Sequence, residues 1–425
     1  MSPAIPIIIV FFAVLLSGLP ISFVLLITSF FGLLIMGVPF EIVPQAIFQS
    51  LQSFPIMALP FFVMLANILS EGGAVQPLVD MNNSFMGRVR GALGLATIFS
   101  CAIFAALVGS SCATAMAFGR VSIPEMRKQE YPENFALGIA AVGGTLGILI
   151  PPSLTMIIYA IVAETSIGDL FIAGIFPGLV LTMVLALTTL LLAQRYRIPK
   201  SLPSSWREKR VHLVKAMPIL VLPLIILGGI YLGIATPTEV SAIGVAYAIL
   251  IIAIIYKFGW KRIIPIAGKS FVAAAMIMFI ITCALLFGRI IAIARVPDLI
   301  TGAIQTLDLT PVTFLLFVNV LLLILGCFFE GAGIILIFVP LLLPTAHALG
   351  IDLVHLGIIL VVNLEIGMLT PPIGFNLFVI SRVGNAPVTN VVRGVVPYFA
   401  GFLVVLGLVT YWPTLSLWLP STMWG

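Results

Sequence analysis

The stretch GTLGILIPPSLTM, Gly144 to Met156, lies inside an apolar run long enough to cross a bilayer, yet it carries two glycines and two consecutive prolines. Proline lacks a backbone donor and collides with the preceding helical turn, and glycine costs about 1 kcal/mol in a helix interior. A membrane helix with this sequence breaks in its middle, and the break needs a use.

The chain around it is membrane sequence. Of 425 residues, 61% are hydrophobic and 8% charged, and the mean hydropathy is +1.27. Apolar runs of about 20 residues recur, each long enough for roughly 30 Å of hydrocarbon. A transmembrane barrel needs strands that alternate apolar and polar residues, and that pattern is absent. The chain therefore reads as an all-α polytopic membrane protein. Its net charge of +5 reads as topology and not as a nucleic-acid-binding surface, because in such a protein the position of each Lys and Arg sets orientation. The N-terminal run lacks a basic start and a cleavage site, so it reads as the first span.

Several chemistries are excluded. Cys101, Cys112, Cys283 and Cys327 lie in apolar segments without CxxC spacing and read as packing residues. His212, His347 and His355 are scattered and make no metal motif. The chain has no GxxxxGK[ST] loop, no Ser/His/Asp set and no paired carboxylates, so neither ATP hydrolysis nor another enzymatic activity is expected, and no cofactor.

A polar segment at 194–217, QRYRIPKSLPSSWREKRVHLVKAM, holds seven of the twenty basic residues. It separates an expected first repeat, 1–193, from a second, 218–425. Shifting the chain against itself by 220 residues aligns Pro124 with Pro344, Gly147 with Gly367, Pro151 and Pro152 with Pro371 and Pro372, Gly174 with Gly394, and Pro177 with Pro397. Such spacing marks an internal duplication.

With the basic linker cytoplasmic, a span is expected near 168–194 and a broken one near 133–164. Segment 91–126 lies between Arg88 and Arg90 on one side and Arg127 and Lys128 on the other. Basic flanks put both ends in the cytoplasm, and the length exceeds one span but falls short of two. The segment reads as a re-entrant hairpin with its tip at GSSCAT, Gly109 to Thr114. Its counterpart, 311–348, has Asp308, His347 and Asp352 around its ends without Lys or Arg, and so enters from the opposite face, with its tip at FEGAG, Phe329 to Gly333. The repeats are thus expected to be inverted. Further spans are expected near 3–17, 20–38, 45–70, 217–235, 237–256, 264–293 and 395–418, with a second broken span near 353–381. That makes ten spans and two hairpins, with both termini outside and only Arg289 and Arg295 of the basic residues on the outer side.

Non-helical backbone at membrane depth leaves polar groups that protein, water or a ligand must satisfy. Four such places are expected: the two tips, GTLGILIPPS at 144–153, and EIGMLTPPIG at 365–374. Pairing them by half brings Gly109, Ser110, Ser111 and Thr114 towards Gly144, Gly147 and Pro151. In the other half Gly331 and Ala332 approach Gly367, Met368 and Thr370. Freed carbonyls at helix C-terminal ends, with hydroxyls, suit Na⁺, while helix N-termini suit a carboxylate. Intramembrane acids are functional candidates, here Glu330 at the second tip and Glu365 before the second break, with Glu164 and Glu239 nearer span ends. Two readings stand for Glu330: it lines the cavity or carries a proton, or it caps the hairpin amides. Arg289 either pairs with a substrate carboxylate or snorkels to the outer surface.

Four motifs carry a resemblance. GSSCATAMAFG (109–119), GGTLGILIPPS (143–153), LGIATPTEVSAIG (232–244) and GIDLVHLGIILVVNLEIGMLTPPIGFNLFV (350–379) resemble those of the large membrane subunit of tripartite ATP-independent periplasmic (TRAP) transporters. The resemblance runs from about residue 3 to the C-terminus. It implies a Na⁺-coupled importer of organic acids, such as C4-dicarboxylates or sialic acid, in a bacterial or archaeal inner membrane; the topology above puts both termini on its periplasmic side. It also implies two partners, a small four-helix membrane subunit separate from this chain and a periplasmic substrate-binding protein that delivers the ligand. The implied fold has transport and scaffold domains that work as an elevator. Carried over by motif, the Na⁺-binding regions are Ser110 and Ser111 with Gly144 and Gly147, and Gly331 with Gly367 and Thr370. Substrate is expected between them, near Ser153 and Asn376. Two other classes stay open: a self-sufficient divalent-anion/Na⁺ carrier, and a channel, for which no span supplies a polar stripe.

Overall fold

The computed structural model describes residues 3–52, 54–198, 200, 203–256, 259–296 and 310–423. Asp308, one flank of the second hairpin, lies outside the described residues. Among those described, every regular element is helical, beside one isolated β-bridge between Arg90 and Lys200.

The first half runs α1 Ala4–Leu16, α2 Ile21–Met36, α3 Ile42–Leu51, α4 Phe54–Glu71, α5 Val75–Met86, α6 Ala92–Val108, α7 Ser111–Lys128, α8 Glu133–Leu149, α9 Leu154–Ala163 and α10 Ile167–Arg195. The second runs α11 Trp206–Tyr231, α12 Pro237–Ile254, α13 Trp260–Ile293, α14 Pro311–Gly326, α15 Gly331–Ala348, α16 Leu353–Gly367, α17 Phe375–Gly384, α18 Val388–Val395, α19 Phe399–Tyr411 and α20 Thr414–Met423. A 3₁₀ turn, Val396–Tyr398, joins α18 to α19 at Pro397, and Val388–Tyr411 forms one membrane-length span, so the span expected at 395–418 starts earlier and ends at Tyr411.

Helix ends fall at both expected tips and at both expected breaks. α6 and α7 meet across residues 109–110, and α14 and α15 across 327–330. α8 and α9 are separated by 150–153, and α16 and α17 by 368–374. The 220-residue offset recurs in the helix starts: Ser111 and Gly331 open α7 and α15, and Glu133 and Leu353 open α8 and α16. Each Pro-Pro pair holds a cis peptide bond.

Three elements differ from expectation. The span expected at 45–70 is split into α3 and α4, and α5 follows at a 65° bend that Gly72 and Gly73 permit. Gly73 has φ +85°, a left-handed conformation that glycine adopts without steric cost. α11 starts inside the expected linker because Ser205 and Glu208 form a capping box: the Glu208 amide donates to Ser205 Oγ (3.2 Å), and the Ser205 amide to Glu208 Oε2 (2.7 Å). Among the described residues seven helices are long and apolar enough to cross a membrane, or eight if the bent pair is one span. The expected ten include α1 and α2, which are apolar but only 13 and 16 residues long.

Helices sort into two packed groups. In one, α4 packs on α12 and α13, α2 on α1 and α13, and α11 on α12. In the other, α8 is the hub for α6, α7 and α18, while α16 packs on α14 and α19, and α7 on α17. α5 touches both, packing on α6 and α11. α8 is buried on every side from Phe135 to Leu149, and α16 from His355 to Gly367. A helix buried all round belongs at the centre of a bundle. The first break therefore falls inside the protein's core, whereas the second leads from a buried helix end out to exposed Pro371 and Pro372.

Candidate functional site

The first tip is a two-residue turn. Gly109 takes φ +64°, and its carbonyl accepts the Leu154 amide at 3.0 Å, stitching the tip to the start of α9. Ser110 caps α7, its Oγ accepting the Ala113 amide at 3.4 Å. The Ser110 carbonyl accepts both the Thr114 amide (3.1 Å) and Thr114 Oγ1 (2.8 Å). Gly147 sits against this turn: a Cβ there would lie 2.5 Å from Ser110 O and 2.7 Å from Thr114 Oγ1. A Cβ on Gly144 would meet Ala115 at 2.5 Å. Ser110, Thr114, Gly144 and Gly147 are thus brought together, and Pro151 is buried within the adjoining break.

The second tip is built differently. The closest approach to Gly367 comes from Gly326, before the tip; a Cβ on Gly367 would lie 2.5 Å from Gly326 Cα. Gly331 packs instead on Leu364, one turn before Gly367. The Ile373 amide donates to the Cys327 carbonyl at 3.1 Å, and Thr370 Oγ1 to Ile366 O at 2.7 Å. Pro371 and Pro372 are exposed, whereas Pro151 and Pro152 are buried.

Between the tips lies a cavity of about 140 Å³. Ser110 and Ser111 line it from the first half, and Glu330, Gly331, Ala332 and Met368 from the second. α7 and α15 both present their first residues to it, so free amides and the positive ends of two helix dipoles converge on one space. Ile277 and Ile280 of α13 form the opposite wall. The cavity therefore sits where the two helix groups meet.

Glu330 occupies the N-cap position of α15 but makes no side-chain cap hydrogen bond. It lines the cavity, and the capping reading does not hold. Ser153 and Asn376 do not line it. Ser153 is buried and caps α9, accepting the Met156 amide at 3.3 Å. Asn376 is fully buried and donates to Ser111 Oγ at 2.7 Å and Ala141 O at 3.3 Å. Arg289 is exposed and does not line the cavity. Thr155, Ile277 and Ile280 line it without having been expected to. Thr155 stands two residues after Ser153 and was within reach of sequence reasoning; the two isoleucines are ordinary apolar residues of a long helix and carry no signal.

Residues 8–415 match the family model of the tripartite ATP-independent periplasmic transporter, DctM component. The chain is 41% identical over 379 residues, 88% of each chain, to the C4-dicarboxylate TRAP transporter large permease protein DctM of Pseudomonas aeruginosa. It is 33% identical over 413 residues, 97% of each chain, to the sialic acid TRAP transporter large permease protein SiaM of Vibrio cholerae. Its fold is similar to the crystal structure of the Alcanivorax borkumensis YdaH transporter, with a TM-score of 0.65 at 14% identity over 99% of each chain. With the family model and both relatives covering most of its length, the chain belongs to the DctM family of large permease subunits of tripartite ATP-independent periplasmic transporters.

Proposed function

We propose that this chain is the membrane engine of a Na⁺-coupled importer for a small organic acid in a bacterial inner membrane, with C4-dicarboxylates as the leading cargo. One observation carries the reading. Two helix N-termini, from the two hairpins, open on one cavity whose far wall belongs to the other helix group. Paired positive helix ends match a substrate with two carboxylates. A cavity of about 140 Å³ is small beside the roughly 300–1,000 Å³ of drug-sized ligand pockets. Size therefore favours a four-carbon diacid over a nine-carbon sugar acid, in line with the higher identity to the dicarboxylate relative.

Na⁺ suits the oxygens flanking this space. Ser110 and Thr114 sit against Gly147 near the C-terminal end of α8, with Ser111 next to Ser110 in the same tip, and Thr370 lies beside the C-terminal end of α16. Carbonyl and hydroxyl oxygens at the negative end of a helix dipole form a hard, partly negative site. Pro151 and Pro371 keep these ends from continuing as helix, and the glycines let the tips press against them. The matching element bounds at one offset support two inverted repeats. In an elevator cycle the α6–α10 and α14–α20 group carries cargo and ion past α13 and its neighbours. A separate small four-helix subunit enlarges the fixed group, a periplasmic binding protein delivers the acid, and both termini face the periplasm.

Ser110→Ala and Thr370→Val are each expected to raise the Na⁺ concentration for half-maximal uptake about tenfold, the effect of one lost polar ligand worth roughly 1.4 kcal/mol. The check is uptake of labelled succinate into proteoliposomes across a Na⁺ series. Unaltered Na⁺ dependence in both variants removes the assignment.

A further inference from the structure

Asn376 stands at the second position of α17, just past the second break, yet its side chain reaches into the first half. It is fully buried, at 0% exposure. Its Nδ2 lies 3.3 Å from Ala141 O of α8, an atom that can only accept, which settles which end of the amide points there. The same nitrogen lies 2.7 Å from Ser111 Oγ, so that hydroxyl accepts from it and its own proton turns elsewhere. Ser111 lines the cavity. On the main chain, the Asn376 amide donates at 3.1 Å to the carbonyl of Met368, which also lines the cavity and begins the second break.

One residue therefore touches the first tip, the hub helix and the second break. Its Oδ1 is buried without a hydrogen-bond partner among the described residues. A buried acceptor left unmatched is costly unless something completes it. The counterpart at the 220-residue offset is Met156, which has no amide, so this tie is made from the second half only.

We propose that Asn376 belongs to the cation machinery and is not a substrate contact. It orients the Ser111 hydroxyl at the first ion site, offers Oδ1 to the ion there, and couples that site to the second through Met368. Occupancy of one site then favours the other. The inference rests on the two-site Na⁺ reading given above.

The test titrates Na⁺ against the full chain in detergent, following the shift in melting temperature. The wild type is expected to show a Hill coefficient of about 2, the limit for two coupled sites. Asn376→Ala is expected to bring it to about 1 and to raise half-saturation about tenfold. Asn376→Asp keeps an oxygen but loses the donor to Ala141; it is expected to lose cooperativity in the same way, and it serves if the alanine variant does not fold. Succinate half-saturation is read in parallel in proteoliposomes at saturating Na⁺. A raised succinate half-saturation with a wild-type Na⁺ curve overturns the proposal, as does a wild-type Hill coefficient of about 1. Ser111→Ala and Thr370→Ala run in parallel. If both leave the Na⁺ curve intact, the ion sites themselves are misplaced, which separates that failure from one of Asn376 alone.

Discussion

Gly147→Ala is expected to cut Na⁺-driven uptake by one to two orders of magnitude while the chain still folds and inserts. The added Cβ would lie 2.5 Å from Ser110 O and 2.8 Å from Ser110 C, both backbone atoms of the first tip. No rotamer change relieves a backbone clash, so the whole hairpin turn must back away from the end of α8. Overpacking of this kind costs about 1–3 kcal/mol, and each 1.4 kcal/mol is about tenfold in an equilibrium. On the proposed Na⁺ site the cost falls on the bound geometry, because the oxygens of Ser110 and Thr114 move with the turn. The Na⁺ series should show the loss as raised half-saturation. Gly228→Ala on α11 is the control: a Cβ there meets nothing within 4 Å, so uptake should be unchanged. Wild-type Na⁺ dependence in Gly147→Ala would show that the tip does not hold the ion.

The largest loss of stability is expected from Gly394→Ala. A Cβ on Gly394 would run into Asn134 O and lie 2.9 Å from both Gly138 Cα and Gly138 N. Here α18 crosses α8 with backbone against backbone, the arrangement that small residues allow between membrane helices. Every atom met belongs to main chain, so relief requires the helices to separate. A destabilisation of about 3 kcal/mol, the upper end for overpacking, is expected. It would appear as a lowered melting temperature in detergent, compared again with Gly228→Ala. Adding Gly138→Ala to Gly394→Ala should cost less than the two single effects together, because both substitutions open one interface.

The helix ends at the tips and breaks were legible because proline, glycine and serine within apolar runs have few uses, and because the pattern recurs at one offset. Ser110, Thr114, Gly144 and Gly147 meet as that pattern implied, since their contacts are local to one half. α5 was not legible: VQPLVDMNNSFM lacks a long apolar run and helps bridge the two groups with a face that buries Leu78, Met81 and Asn82. The pairing of Gly326 with Gly367 was not legible, because close approach needs a small residue only where two backbones cross and nothing in the local sequence marks that crossing. Asn376 was placed beside substrate by motif. Its bond to Ser111 spans 265 residues, and nothing in either local sequence announces it. Glu365 was noted as an intramembrane acid, but its full burial, with neither carboxyl oxygen hydrogen-bonded among the described residues, is visible only in three dimensions.

The decisive measurement is uptake of labelled succinate into proteoliposomes that hold this chain with the proposed small membrane subunit, with and without an inward Na⁺ gradient and the proposed periplasmic binding protein. Uptake that requires both the gradient and the binding protein is the expected result. Succinate uptake by this chain without the binding protein, or uptake indifferent to Na⁺, would contradict it.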